Sequence, residues 1–462
     1  MPLIAIFLPN AVTIRDVVHT GTLQELLGIP DARIDIYTQN PALPEFDALK
    51  ASGQVMMLPM AEYRPNRVET LVRHIYPLLF YDTFTYLQKA LAGKPTRQAI
   101  ARVMSMVRRL LGTRRTIALV GRLLLWLSRN SSKPAIRGNP DLVIGTRSLV
   151  ASLEFPMVCE AVRKGLALIT AVSSWDNFTT KGFLPFPVER TVVWNRKMAE
   201  ELAGIFETDP DEIVVAGYPR LPLLQNAGDF ESAEQYLAEL GLAQYRRFIL
   251  YSASYSELSR VSPSEPPREF MLIRKISEQL APTLPADTCI LVRLHPYSQA
   301  NDEDFFAGMD RVHVFVPGRT DRYVERVMNI ADEQHLAAQL QFSECIISVA
   351  STMTIDALAL GRPIINVRFE PIENGPEVIR KFYEYNHFRD LLNIAKPPLA
   401  YTAEEVIAFV HRCLAGDDDA SYDAAAFTEY YVPRFSGEYP RILRQTVEEV
   451  LADAGAAPAP AQ

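Results

Sequence analysis

Three short stretches of this 462-residue chain bring together side chains that could do chemistry. The first is Arg293-Leu294-His295-Pro296, a guanidinium and an imidazole two residues apart directly after an apolar run. A guanidinium binds phosphate through paired N–H groups, and a protonated imidazole can stabilise charge developing on a leaving group, so the pair suits a diphosphate. The second is Ser351-Thr352, with Asp356 about one helical turn further on. Hydroxyls and free N–H groups at a helix start also favour phosphate, although an ordinary cap followed by a solvated first-turn acid gives the same pattern. The third is Trp175-Asp176-Asn177, where Asp176 could take the proton of an attacking hydroxyl or form a side-chain-to-backbone turn. Ser252, in the run 251–256, offers a further hydroxyl, while Glu154, Glu370 and Glu373 are acids that no pattern ranks.

Each stretch has to be held by a rigid element, and hydrophobic periodicity says which. Residues 343–370 read as one strand–helix–strand unit: a β-branched run over 345–349, a helix over 353–360 stopped by Gly361, and a strand from 363. In a parallel sheet the turn between such a strand and its helix lies at the carboxyl edge, where ligands bind. The same rhythm predicts strands over 3–8, 33–37, 55–58, 141–146, 167–171 and 192–195, then over 248–251, 289–293, 312–316 and 364–367. The span 15–27 has helical spacing. His295, Ser252 and Ser351 then share the ligand edge of the second sheet, and Asp176 lies at that of the first. The predicted fold is α/β, two doubly wound Rossmann-like domains facing across a cleft. Residues 1–220 form the N-terminal domain, with a helical basic insertion at about 66–140. Residues 221–425 form the C-terminal domain, and 426–462 a last helix with an Ala/Pro-rich disordered tail from 452.

Composition and charge narrow the classes. Four scattered cysteines without a CxxC pair read as buried thiols of a reducing compartment, and no Asp, His or Cys cluster has metal-ligand spacing, so neither a metal nor another cofactor is expected. The N-terminus lacks the basic region and cleavage site of a secretory signal, and no uncharged apolar run reaches the roughly 18 residues of a spanning helix, so a cytoplasmic location is expected. The net charge of −8 conceals an asymmetry: Thr83 to Pro140 holds no acid but 12 of the 47 basic residues, leaving 35 against 55 acidic residues elsewhere. Such a separation points to an anionic partner. Arg108, Arg109, Arg114 and Arg115 precede an apolar run that includes Trp126, too short and charged to cross a bilayer but suited to a helix lying in an anionic membrane interface. Packing of that helix on its own domain is the alternative, and nucleic acid is not expected because no DNA- or RNA-binding motif surrounds these residues.

Taken in order, Trp175-Asp176-Asn177-x-Thr179-x-Lys181-Gly182, Val193-Trp194-Asn195, Ala216-Gly217-Tyr218-Pro219-Arg220, Arg293-x-His295-Pro296 and the segment 351–363 resemble the GT-B glycosyltransferase superfamily. The resemblance covers most of residues 141–367 and is nearest to bacterial surface-polysaccharide transferases and the CDP-glycerol glycerophosphotransferases of teichoic acid synthesis. It implies a C-terminal domain holding a nucleotide-diphosphate donor, an N-terminal domain holding the acceptor, and no obligatory metal. His295, Ser351 and Thr352 would touch donor phosphates beside Ser252 and Arg293, Asp356 would hold the ribose or the transferred group, and Asp176 would be the acceptor-side base. The chain departs from the pattern at Met353, where many retaining enzymes carry a Glu three positions before the acid, and in the size of its basic insertion. The expected function is a glycosyltransferase that moves a sugar from a nucleotide-sugar donor to a lipid-linked or polysaccharide acceptor at the inner face of the plasma membrane, in bacterial cell-surface glycan synthesis. A CDP-glycerol-type glycerophosphotransferase, a nucleotide-sugar 2-epimerase and a non-catalytic nucleotide-sugar-binding scaffold are the alternatives.

Overall fold

The computed structural model describes residues 1–60, 63–130, 135–147, 149–299, 301–318, 328–417 and 421–456. Over these residues the chain forms two compact units, Met1–Pro219 with Glu429–Gln462, and Arg220–Thr428. The first unit carries β1 (Leu3–Leu8), β2 (Arg33–Thr38), β3 (Val55–Pro59), β4 (Leu142–Gly145), β5 (Ala167–Ala171), β6 (Arg190–Val193) and β7 (Ile213–Val215). They pair in the order β3-β2-β1-β4-β5-β6-β7, every pair parallel. The second unit carries β8 (Arg247–Ser252), β9 (Thr288–Arg293), β10 (Val312–Phe315), β11 (Ile346–Ser348), β12 (Ile364–Val367) and β13 (Leu399–Ala400), in the order β10-β9-β8-β11-β12-β13, again all parallel. Strands such as Ile4 to Leu8 and Phe248 to Leu250 are apolar without alternation because helices cover both faces of each sheet. Each order reverses direction once, between β1 and β4 and between β8 and β11, and these switch points place the ligand edge of each unit.

Three local results differ from the sequence expectation. The span 15–27 is not one helix: a short helix Ala11–Ile14 runs into a wide π turn, Arg15–His19, and a new helix Thr22–Leu27 starts after Gly21, whose positive φ of 80° ends the first segment. Strand β13 was invisible because two residues carry no periodicity. The C-terminal helix Tyr439–Ala456 is not a separate appendage after residue 425 but part of the first unit, where it packs on the helix Thr22–Leu27. Its Tyr439, Leu443, Val447 and Val450 repeat at helical spacing and are buried, so the stripe needs a core to cover it. Of the tail expected to be disordered, residues 452–456 continue this helix and 457–462 lie outside the described residues.

Two motif residues seat the C-terminal segment. Asn195 caps the helix Arg196–Phe206 by accepting the Met198 N–H at 2.9 Å, and its Nδ2 donates to the Tyr431 carbonyl at 3.0 Å. Gly217, at φ 100°, lies so close to Ser436 that a Cβ would overlap that residue's backbone. The insertion after β3 is helical, Arg67–Ile75, Pro95–Leu111 and Thr113–Leu127, with Gly112 at φ 83° breaking the last two apart. All four cysteines are buried thiols, none of them in a disulfide.

Candidate functional site

The loops after β8, β9 and β11 surround the switch point of the second sheet. Across it, the Ser348 hydroxyl donates to the Ser252 carbonyl at 3.0 Å and lies 3.1 Å from the Ser351 hydroxyl, which in turn accepts the Met353 N–H at 3.3 Å. Ser351 therefore makes a local side-chain-to-backbone turn before the helix, and Ser252 is tied into the sheet edge through its backbone. Thr352 is half-buried at the start of the helix Met353–Ala359.

His295 sits in a built turn. Its Nδ1 accepts the Tyr297 N–H at 3.1 Å, and its carbonyl accepts the Ser298 N–H at 2.8 Å and hydroxyl at 2.6 Å. The neutral ring then keeps its proton on Nε2. Burial, and after it the charge of Arg293, pushes its pKa down to about 4. The expectation of a protonated His295 is thereby corrected: at neutral pH it is an uncharged donor through Nε2. The rings of Tyr255 and Tyr297 flank it at 5.7 and 5.4 Å.

Arg293 and Asp356 face inward and do not present themselves to the loops. Arg293 is buried, donates from Nη1 to Gln339 Oε1 at 2.9 Å, and lies over the Phe315 ring at 5.1 Å. As the last strand residue it still points into the helix layer, and it reaches the site only through its charge on His295. Asp356 is fully buried, its Oδ2 accepting from Arg220 Nη1 at 3.1 Å, while Arg220 Nη2 lies 3.5 Å from Glu333 Oε2. Arg220, the end of the Gly217-to-Arg220 motif, is thus an ion-pair partner of the buried Asp356.

Glu269 is a site residue that the sequence did not single out. It is fully buried, both oxygens accept the Ser254 N–H at 3.0 and 3.2 Å, and it also bonds the Ser254 hydroxyl. Its own N–H donates to Ser259 Oγ at 3.2 Å, so the loop after β8 is tied at two points. Burial raises its pKa to about 7. The only sequence signal was an acid in a helix first turn, a pattern that usually marks a solvated residue.

In the first unit Asp176 accepts from the Ser174 hydroxyl, from Thr180 Oγ1 at 3.1 Å and from Lys181 Nζ at 3.2 Å, keeping one partly exposed edge. Trp175 packs edge-on against Tyr431 at 6.0 Å. Glu154 is no candidate base: buried, it accepts the Thr146 and Arg147 N–H groups at 3.0 and 2.9 Å. In the second unit Glu370 likewise accepts the Val378 and Arg380 N–H groups, and Glu373 is exposed.

The basic segment divides. Arg108 binds both oxygens of Asp82 at 3.0 Å, the Leu79 carbonyl and the Thr113 hydroxyl, and Arg109 binds Asp82 at 2.6 Å. Asp82 is the residue just before the acid-free stretch, so these two arginines, expected at a membrane, are paired with it, Arg108 from a largely buried position and Arg109 from an exposed one. Arg114 is exposed and donates to the Glu207 carbonyl at 2.9 Å, while Arg115 and Trp126 are exposed. Among the described residues no helix is long and apolar enough to cross a membrane, and no group of three or more His, Cys, Asp or Glu is placed to hold a metal ion.

Residues 172–448 match the family model described as CDP-Glycerol:Poly(glycerophosphate) glycerophosphotransferase. No curated protein matches the sequence. Among solved structures the chain is similar to the S. aureus MnaA–UDP co-structure, with TM-score 0.55, 10% identity and 100% of each chain covered. It is also similar to a variant of the wall teichoic acid polymerase TagF, with TM-score 0.53, 11% identity, and 99% of this chain and 90% of that one covered. A third is the UDP-GlcNAc 2-epimerase from Neisseria meningitidis bound to UDP-GlcNAc, with TM-score 0.51, 11% identity, and 97% and 100% covered. At these identities the likeness is one of fold, and the fold is of the GT-B type.

Proposed function

We propose that this chain, which belongs to the CDP-glycerol:poly(glycerophosphate) glycerophosphotransferase family and is therefore a transferase, moves glycerol phosphate from a cytidine-diphosphate-linked donor to a hydroxyl of a polymer or lipid-linked acceptor in cell-wall glycan synthesis. The observation that supports this reading is the span of the family match, which takes in Asp176, Ser252, His295 and Ser351 and so includes ligand-edge loops of both sheets. It favours glycerol phosphate over a sugar as the transferred group.

In such a transfer the acceptor oxygen attacks the phosphorus that bears glycerol. A new O–P bond forms, the P–O–P bridge breaks, and CMP leaves with the bridging oxygen and its electron pair. His295 would donate its Nε2 proton in a hydrogen bond to a donor phosphate oxygen, and Asp176 would receive the acceptor proton. Sugar transfer would instead break a C–O bond and release a nucleoside diphosphate, and an epimerase would convert a nucleotide sugar with no acceptor at all. The nucleotide product therefore separates the readings. With CDP-glycerol and a glycerol-phosphate-primed acceptor, CMP release is expected, and His295→Gln should lower kcat about 100-fold. Release of a nucleoside diphosphate from a nucleotide sugar, with no CMP from CDP-glycerol, would overturn it.

A further inference from the structure

In the first unit the loop leaving β5 holds a lysine in place from two sides. Lys181 Nζ lies 3.2 Å from Asp176 Oδ2 and donates to Asn177 Oδ1 at 3.1 Å. Asn177 is buried, so the ammonium is drawn inward at its tip while the Lys181 side chain as a whole stays 42% exposed. The backbone is fixed as well. The N–H groups of Lys181 and Gly182 both donate to the Asn177 carbonyl, at 2.9 and 3.0 Å, and Gly182 at φ 87° ends the short helix Asn177–Thr180. A partly exposed Lys–Asp pair adds little to stability, and ordering a long side chain costs entropy, so folding alone gives little reason for the arrangement. An ammonium carries three N–H donors, and Asn177 with Asp176 engages two sides of it, which leaves capacity for a ligand.

The chemistry of the acceptor says which ligand. A glycerol-phosphate-primed acceptor is an anion, and the group assigned to take its proton, Asp176, is a carboxylate. Like charges repel, so a carboxylate by itself turns such an acceptor away. A cation beside the base removes that barrier, and Lys181 is such a cation. In the terminal glycerol phosphate unit the hydroxyl and the phosphate belong to one three-carbon group, so they can meet neighbouring side chains together. We infer that Lys181 reads the charge of the acceptor: its ammonium binds the phosphate of the terminal unit and so sets that unit's hydroxyl against Asp176. The substrate class rests on the transfer reading, and the consequence is discrimination against neutral acceptors.

Binding measured without donor separates this inference from the transfer reading. A short synthetic glycerol phosphate oligomer should bind the full chain in calorimetry, and Lys181→Gln should weaken that binding about 30-fold, as the loss of one charge-assisted contact implies. Lys181→Arg should restore most of it. In turnover, the ratio of kcat/KM for the oligomer to kcat/KM for free glycerol should fall by a similar factor in Lys181→Gln. Arg122, exposed on the helix Thr113–Leu127, is the control for general attraction to the basic segment. An oligomer affinity that Arg122→Gln lowers as much as Lys181→Gln does overturns the inference. So does an affinity that Lys181→Gln leaves unchanged, and so does wild type that fails to bind the oligomer at millimolar concentration. Weakened binding of CDP-glycerol in place of the oligomer would assign the lysine to the donor and overturn it too. Lys181-dependent oligomer binding without CMP release from CDP-glycerol would uphold the acceptor site and remove the transfer reading instead.

Discussion

In the first unit the loop leaving β4 is held by Glu154, whose two oxygens accept N–H groups from two residues, Thr146 at 3.0 Å and Arg147 at 2.9 Å. In the second unit the loop leaving β8 is held by Glu269, whose oxygens converge on one residue, taking the N–H and the hydroxyl of Ser254. Both glutamates are fully buried, and both loops border the switch point of their sheet. The donors of the two carboxylates differ. Glu154 accepts from the backbone of two residues. Glu269 is fed by one residue, the hydroxyls of Tyr251 and Tyr383 lie near enough to feel its charge, and burial outweighs the Ser254 bonds so that it titrates near neutrality. The loop leaving β8 therefore responds to pH through its tether.

Removing the tether of the first unit should have the largest effect. Glu154→Ala takes this acceptor from the buried Thr146 N–H and the half-buried Arg147 N–H, and at roughly 1–3 kcal/mol for a fully buried donor and less for the other, urea unfolding should show a loss of about 3 to 4 kcal/mol. A loss below about 1 kcal/mol would mean that water replaces the carboxylate and that the two loops are not held alike.

Next comes the pH response of the second unit. Glu269 is raised above its ordinary 4.5, so its stabilising contribution is complete below about 4.5 and is lost as pH rises to about 7. Over that window the loss is on the order of 3 kcal/mol. His295 acts with the opposite sign: held neutral in the fold, it makes stability rise between about 4 and 6.5. The wild-type curve mixes the two, whereas subtracting that of Glu269→Gln isolates the glutamate. The difference should fall with pH from 4.5 to 7 and be flat above; a flat difference throughout would remove the distinction between the loops. The smallest effect is expected from Ser254→Ala, about 1 kcal/mol, because the N–H bonds survive. Since the Ser254 bonds lower the Glu269 pKa, the same substitution should move the step to higher pH, which the pH series in urea would detect.

Hydrophobic pattern made most of the fold legible. The runs at 3–8 and 364–367 coincide with β1 and β12, and His295 falls in a strand-end loop as the alternation required. Polar partnerships were not legible. Asp356 read as a first-turn acid because its partner Arg220 is 136 residues away, and Arg108 read as a lipid contact because Asp82 stands one residue outside the stretch counted as acid-free.

What the sequence determined by itself was the parallel α/β class, the edge at which each loop lies, and the separation of charge, since all three follow from local order and composition. Which polar side chains face solvent was decided only by the tertiary structure. A buried charge must find a partner or a set of donors wherever the chain brings one, and that choice is made between residues distant in sequence. The outward stripes of Val103, Met106, Leu110 and Trp126 were decided at the same level: periodicity defines an apolar face, but only packing says whether it is covered.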